Sequence, residues 1–353
     1  MTSGSTSQTT RPARILFVVE DGWACAWYRC HTPGLELMRR GHEVVMVEQP
    51  NPELFDACDV VVFQRPSRRP AVEALRRARV AGKMTVVDLD DDLWSIHPSN
   101  PAHRLWAETD RLRILEECIR TAELVTVSTP PLVPLISPMN RNVTIIQNML
   151  PPGNWPMDLA GRREHEPLAV GWAGSGSHAQ DLSILTGTVE TILGAYPGIE
   201  VATAGMNDVP FRPHERLRSI QPVGLEQYAS TLKQFDIGMI PLVDGRFNRC
   251  KSDLKFLEYA MMGIPSVASK VEPYEHSVEH GINGFLARNP KDWLKYLRRL
   301  IEDHELRSEM GRQARLFAQA RTVDRNIGLW ERAYGLSSSA SPAGPPDQAR
   351  QSN

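Results

Sequence analysis

Residues 246–269 decide the fold: Arg-Phe-Asn-Arg-Cys-Lys-Ser-Asp-Leu-Lys-Phe-Leu-Glu-Tyr-Ala-Met-Met-Gly-Ile-Pro-Ser-Val-Ala-Ser. They read as a basic loop, a short helix, a Gly-Pro break and a buried strand. Leu254, Leu257, Ala260 and Met261 recur at helical spacing and are expected to face a core. Ser252 is the expected N-cap, its hydroxyl accepting from the free amides of the first turn. Gly263 and Pro265 stop the helix, and Val267-Ala-Ser opens the next buried run.

Two charges on this stretch go beyond packing. Lys251 sits just before the helix N-terminus, where the dipole and free amides favour an anion. Glu258 lies two turns further on, where a carboxylate accepts hydrogen bonds from sugar or ribose hydroxyls. An anion site and a hydroxyl site on one element suggest a nucleotide diphosphate with a sugar attached. The competing reading is an ordinary amphipathic helix with a solvated Lys and a surface Glu.

Outward from this stretch the chain alternates apolar runs with helical patterns. Arg14-Ile-Leu-Phe-Val-Val, His42-Glu-Val-Val-Met-Val, Asp59-Val-Val-Val-Phe-Gln, Lys83-Met-Thr-Val-Val-Asp, Leu124-Val-Thr-Val-Ser and Val143-Thr-Ile-Ile read as buried parallel strands, with helices at 70–81 and 103–121. Leu168-Ala-Val-Gly-Trp-Ala, Ile199-Glu-Val-Ala-Thr-Ala-Gly, a strand near 217–221 and Phe235-Asp-Ile-Gly-Met-Ile repeat the pattern. This argues for α/β domains of the doubly wound kind. Gln147-Asn-Met-Leu-Pro-Pro-Gly-Asn-Trp-Pro is a linker between them.

In such sheets ligands bind beyond the C-terminal strand ends. Gly174-Ser-Gly-Ser-His follows one strand, and its small residues let backbone amides cradle a phosphate. Ser177 and Gln180 form a capping-box pattern opening a helix to about Tyr196. The turn is neither a Walker loop nor G-x-G-x-x-G. In the first half, Gly22 to Arg29 forms one strand-end loop, and Asp88-Leu-Asp-Asp-Asp-Leu-Trp-Ser-Ile-His forms another. Four crowded carboxylates need a polar partner or solvent. They suit acceptor hydroxyls, proton handling or a metal, and the Asp88-Leu-Asp90 triplet alone is too short to carry the metal.

Lys251-Ser-x-x-Lys-x-x-Glu-Tyr-x-x-x-Gly-x-Pro-x-x-Ala-Ser resembles the donor-site segment of retaining glycosyltransferases of family 4, which have the GT-B fold. Glu279-His-Gly-Ile-Asn-Gly-Phe-Leu resembles that family's glycine-rich turn and strand, and Gly171-Trp-x-Gly-Ser-x-x-His-x-x-Asp-Leu is similar to related transferases. Tyr28-Arg29 with Pro33 and Gly41-His42 resembles the start of many members. The resemblance implies two Rossmann-like domains facing a central cleft. A nucleotide-diphosphate-sugar co-substrate would lie in the C-terminal domain and an acceptor in the N-terminal one. It also implies retention of configuration, usually without an obligatory metal or other cofactor.

On that basis Glu258 would bind the donor ribose. Gln221-Pro-Val223-Gly resembles the loop beside the donor base. The donor side would comprise Gly174, Ser175, Gly176, Ser177, His178, Val223, Arg249, Lys251, Ser252, Asp253 and Glu258. Asp90, Lys251 and Glu258 are the candidates for catalysis, and Gly22, Tyr28, Arg29, Asp91 and His97 for the acceptor side. Many members carry another Glu eight residues before the position of Glu258. Here Cys250 stands in that place, and its role is either unfilled or passed to Lys251 or Arg249. A His often ends the fourth strand in that family; here Asp88, Asp90 and His97 compete for that place.

The expected organisation is tails at 1–12 and 336–353, an acceptor domain at 13–150 and a linker at 151–166. A donor domain at 167–321 and a helix at 322–335 packing back on the first domain complete it. The 353 residues suit two domains, and a 41% hydrophobic, 23% charged composition describes a globular protein with sizeable cores. A net charge of −2 gives no general attraction to nucleic acid or anionic membranes. No apolar run approaches the ~20 residues that span a bilayer. Five scattered cysteines without metal spacing read as reduced thiols of a cytoplasmic protein. The acceptor stays open among glycan, lipid, protein and modified nucleic acid. Two rival functions are a nucleotide-sugar epimerase and a catalytically silent binding module, for which Cys250 is the argument.

Overall fold

The computed structural model describes residues 11–20, 24–49, 52–156, 164–206 and 208–336. Gly22, linker residues 157–163 and the expected tails, apart from 11–12 and 336, lie outside the described residues.

The apolar runs form two six-stranded parallel sheets. The first holds β1 (Arg14–Val19), β2 (Glu43–Val47), β3 (Val60–Gln64), β4 (Met84–Leu89), β5 (Leu124–Val127) and β6 (Val143–Ile145), in the order β2-β1-β3-β4-β5-β6. The second holds β7 (Leu168–Ala173), β8 (Ile199–Ala204), β9 (Leu217–Ile220), β10 (Ile237–Ile240), β11 (Ser266–Ser269) and β12 (Phe285–Ala287), in the order β12-β11-β10-β7-β8-β9. In each sheet the order reverses once, between β1 and β3 and between β7 and β10. Loops diverge at these points and leave a crevice above the strand ends.

Parallel strands are buried on both faces, which is why they read as unbroken apolar runs. Leu16 and Val18 enter one cluster with Leu75, Ile114 and Leu115. Ile15, Phe17 and Val19 enter the opposite one, whose other side is Val323, Ile327, Trp330 and Tyr334 from the end of the chain. The backbone crosses between domains twice at one point: Leu150 N–H donates to Arg321 O and Val323 N–H to Leu150 O, both at 3.0 Å.

Several helices are shorter than the pattern predicts. The expected helix at 103–121 is two, Ala102–Ala107 and Arg111–Thr121. Thr109 breaks it by donating to Leu105 O at 2.7 Å and accepting from Arg111 N–H at 3.3 Å. The expected helix after Gly174 becomes a 3₁₀ turn, Gly176–His178, then Ala179–Ser183 and Thr186–Ala195. The Ser177 capping box does not form, because its hydroxyl pairs with Ser175 Oγ at 2.7 Å. The expected helix at 323–335 is Val323–Asn326 plus Gly328–Ala333. Among the described residues no helix is long and apolar enough to cross a membrane.

Gly171 on β7 shows how closely the second core is filled. A Cβ there would lie 2.0 Å from Phe235 Cγ. Gly171→Ala is expected to destabilise the protein by about 1–3 kcal/mol, the usual cost of overpacking, read as a lower denaturant midpoint.

Candidate functional site

The decisive stretch lies on the second sheet's crevice. Its helix, α1 (Leu254–Met261), follows the loop after β10, and the Gly174–His178 turn follows β7. These are the two strands at which the order reverses, so the two segments share one edge. Asp181 ties them together. One carboxylate oxygen accepts from Val243 N–H and Asn248 Nδ2, both at 2.9 Å, while the other bonds His178 Nδ1 at 2.9 Å.

Lys251 is half-buried, with its ammonium 4.5 Å from the Phe247 ring centroid. One turn on, Lys255 Nζ donates to Ala173 O at 2.5 Å and lies 5.5 Å from the Trp172 ring centroid. Burial lowers the Lys255 pKa, opposed by the Glu258 carboxylate, and Lys251 lowers it further. His178 is lowered to about 4 by burial, with both lysines adding to the effect, so it is neutral at pH 7. Two ammoniums and a neutral imidazole thus converge beside an exposed turn of small residues.

Glu258 closes the other side of this pocket. It is only 7% exposed, not on the surface, and its Oε1 accepts from Tyr28 Oη at 2.8 Å. The Tyr228 phenol lies near this carboxylate, whose charge adds to burial in raising the phenol's pKa. Burial raises the Glu258 pKa, while Lys255 and the two phenols oppose the shift. Tyr228 opens the helix Tyr228–Leu232, after the 3₁₀ turn that follows Gln221-Pro-Val-Gly; Val223 itself is exposed.

Four expected donor or catalytic residues are occupied otherwise. Ser252 is not the N-cap: that position is Asp253, and Ser252 Oγ accepts from Asn148 Nδ2 at 2.9 Å across the domains. The buried Asp253 carboxylate is held by Ser277 Oγ at 2.5 Å and Arg321 Nη1 at 3.2 Å. Arg249 is exposed and forks onto Asp244 at 2.6 and 2.8 Å. Asp90 is bonded by Arg65 Nε, so it is not a free proton acceptor.

The acceptor face is also rearranged. Arg29 is 1% exposed and grips Asp88 with two bonds of 2.9 and 2.6 Å, so it faces no acceptor. Tyr28 turns instead to Glu258 in the C-terminal domain. These neighbours diverge because consecutive residues on a helical turn, here Trp27–His31, point to different sides of it. Each of the four crowded carboxylates has a guanidinium: Arg29 for Asp88, Arg65 for Asp90 and Asp91, and Arg246 for Asp92. Cys25, Asp90 and Asp91 are the only metal-like cluster among the described residues, and Arg65 already supplies its cation. Arg65 adopts a left-handed φ of 46° to do so, unusual for a residue with a Cβ. His97 remains at the cleft, where it and Ser99 face Gly176, Ser177 and Gln180 across a cavity of about 380 Å³.

Cys250 has a packing role. Together with Phe247 it enters the apolar cluster of the N-terminal domain, and its backbone carbonyl accepts from Thr129 Oγ1 at 2.8 Å. Burial pushes its thiol up to about 12, with the Asp92 and Asp91 carboxylates adding. Trp27 and Tyr28 make the reverse insertion into the C-terminal cluster.

Lys255, Asp181 and Tyr228 are the residues sequence reasoning missed. Lys255 and Asp181 stood inside quoted motifs. Each is a charge within the first turn of a helix, Asp181 buried and Lys255 half-buried.

Comparison with known proteins agrees with this picture. Residues 168–303 match the family model described as Glycosyl transferases group 1. A D-inositol 3-phosphate glycosyltransferase of Arthrobacter sp. (strain FB24) is 29% identical over 153 residues, covering 41% of this chain and 34% of that protein. The match thus spans about a third of that relative's length. HepE of Anabaena, solved in complex with UDP-glucose, superposes with a TM-score of 0.65 at 15% identity, covering 92% of this chain and 100% of that one. Sucrose-phosphate synthase of Thermosynechococcus elongatus gives 0.61 at 13% identity, covering 92% and 98%. Two parallel α/β domains facing a cleft, superposable over 92% of the chain on these structures, make this chain a GT-B fold.

Proposed function

We propose that this protein is a glycosyltransferase that moves a sugar from a nucleotide-diphosphate-sugar to an acceptor bound against the N-terminal domain. The observation that carries this is the meeting of Lys251, Lys255 and the Gly174–His178 turn at one switch point, with the Glu258 carboxylate alongside. The two ammoniums and the turn's amides suit a diphosphate, and Glu258 suits ribose hydroxyls.

In the reaction the bond from the sugar's anomeric carbon to the β-phosphate oxygen breaks. An acceptor hydroxyl oxygen bonds to that carbon and its proton passes to water, while the diphosphate departs with the bonding electron pair and an added negative charge. Lys251 and Lys255 stabilise that charge from fixed positions out of bulk water. By the family resemblance the configuration at the anomeric carbon is retained. The donor turn faces His97 across the cleft, which supports an acceptor entering there. With Cys250 serving packing, its lack of a carboxylate no longer argues for a silent module.

The test is a thermal-shift screen against nucleotide-diphosphate-sugars, followed by turnover with the stabilising one. At a ligand concentration ~100 times Kd the folded state gains about 2.7 kcal/mol, seen as a rise in Tm. Absence of a rise with every nucleotide-sugar would overturn the reading. Release of an altered free sugar in a donor-only incubation would instead identify an epimerase.

A further inference from the structure

Glu258 reaches its place in the pocket with help from the other domain. Tyr28 and Glu258 are 230 residues apart in sequence, and the 2.8 Å bond between them joins the two domains. The Tyr28 ring is buried among C-terminal apolar residues, in the cluster that holds Trp155, Leu257 and Ala260. Its neighbour Arg29 is fixed the opposite way, onto Asp88 and onto Asn148 Oδ1 at 3.1 Å. Asn148 in turn donates to Ser252, at the start of the helix that carries Glu258. The phenol is therefore held from both domains.

A carboxylate has about four lone-pair sites, and Tyr28 engages one of them. The nearest cation, Lys255, spends a proton on Ala173 O. A buried carboxylate with lone pairs to spare favours further donors, and the vicinal hydroxyls of a ribose supply two. We propose that Tyr28 is a positioning residue of the donor site. Its hydroxyl fixes the Glu258 carboxylate to receive the ribose hydroxyls, so that the nucleoside subsite is complete only when the domains are closed. This rests on the reading of the pocket as a nucleotide-sugar site.

The test uses the full chain as wild type, Tyr28→Phe and Glu258→Gln. Calorimetry measures binding of UDP, ADP and GDP, each beside its 2′,3′-dideoxy form. For the diphosphate that the wild type binds, Tyr28→Phe is expected to weaken binding about tenfold, a loss in the range of one hydrogen bond to a charged group. It should leave affinity for the dideoxy form unchanged, as should Glu258→Gln. The phenylalanine keeps the ring's packing, and a merely structural role would lower both ligands alike. Equal loss for both forms overturns the proposal, as does unchanged diphosphate binding in Tyr28→Phe where Glu258→Gln weakens it. Failure of the wild type to bind any of the three overturns the nucleotide reading itself.

Discussion

Lys255→Met is expected to lower kcat/KM for the nucleotide-sugar by ~10²–10³-fold, the usual loss when one preorganised group facing developing charge is removed. Lys255 reaches the end of β7, where its ammonium meets Ala173 O beside the Gly174 turn. Burial and Lys251 both disfavour its charge, so the arriving diphosphate relieves a strained cation as well as gaining a partner. Methionine preserves the apolar stem against Trp172 and deletes only the charge. Affinity for the nucleoside diphosphate should fall, while affinity for the bare nucleoside should not. Equal losses for both ligands would show that the pocket had collapsed. Unchanged diphosphate affinity would remove Lys255 from the phosphate site.

Arg29→Met is expected to cost about 3–5 kcal/mol of stability, because it leaves the Asp88 carboxylate buried without its cation. The pair is almost fully enclosed, with side-chain exposures of 0% and 2%. Thr126 Oγ1 donates to Asp88 at 2.6 Å, and Arg29 also reaches Ile146 O and Asn148. Denaturant midpoints should fall sharply for Arg29→Met and recover in good part in the double variant Arg29→Met, Asp88→Leu. A double variant no more stable than the single one would show that the pair holds the hinge by geometry rather than by charge compensation.

The two sheets were legible because strands buried on both faces leave continuous apolar runs with turns between them. Lys251 and Gly174–His178 stood out as candidates because each precedes a helix start at the end of a strand-containing segment. Partnerships across the domains were not legible. Nothing near Tyr28 signals a residue 230 positions away, and the π-turn that carries Tyr28 and Arg29 leaves no pattern in composition. Arg29 looked like a ligand contact because a cation at a strand end is ambiguous until its anion is seen. Lys255, three residues before Glu258, stood only as part of a motif, with no role of its own. Cys250 looked like a lost carboxylate, and only the opposite domain's core explains it.

The double crossing at Leu150 and Arg321–Val323 bears on the order of folding during synthesis. Domains usually complete themselves from the N-terminus as the chain emerges. Here the face formed by Ile15, Phe17 and Val19 is at first covered only in part, by Ala26, Cys30 and Leu37, because Val323, Ile327, Trp330 and Tyr334 are made after every strand. The second domain has all its strands and its helix His304–Gln319 before that cover arrives. The domain translated first is therefore completed only after the strands of the second, and its half-covered apolar face stays open until then.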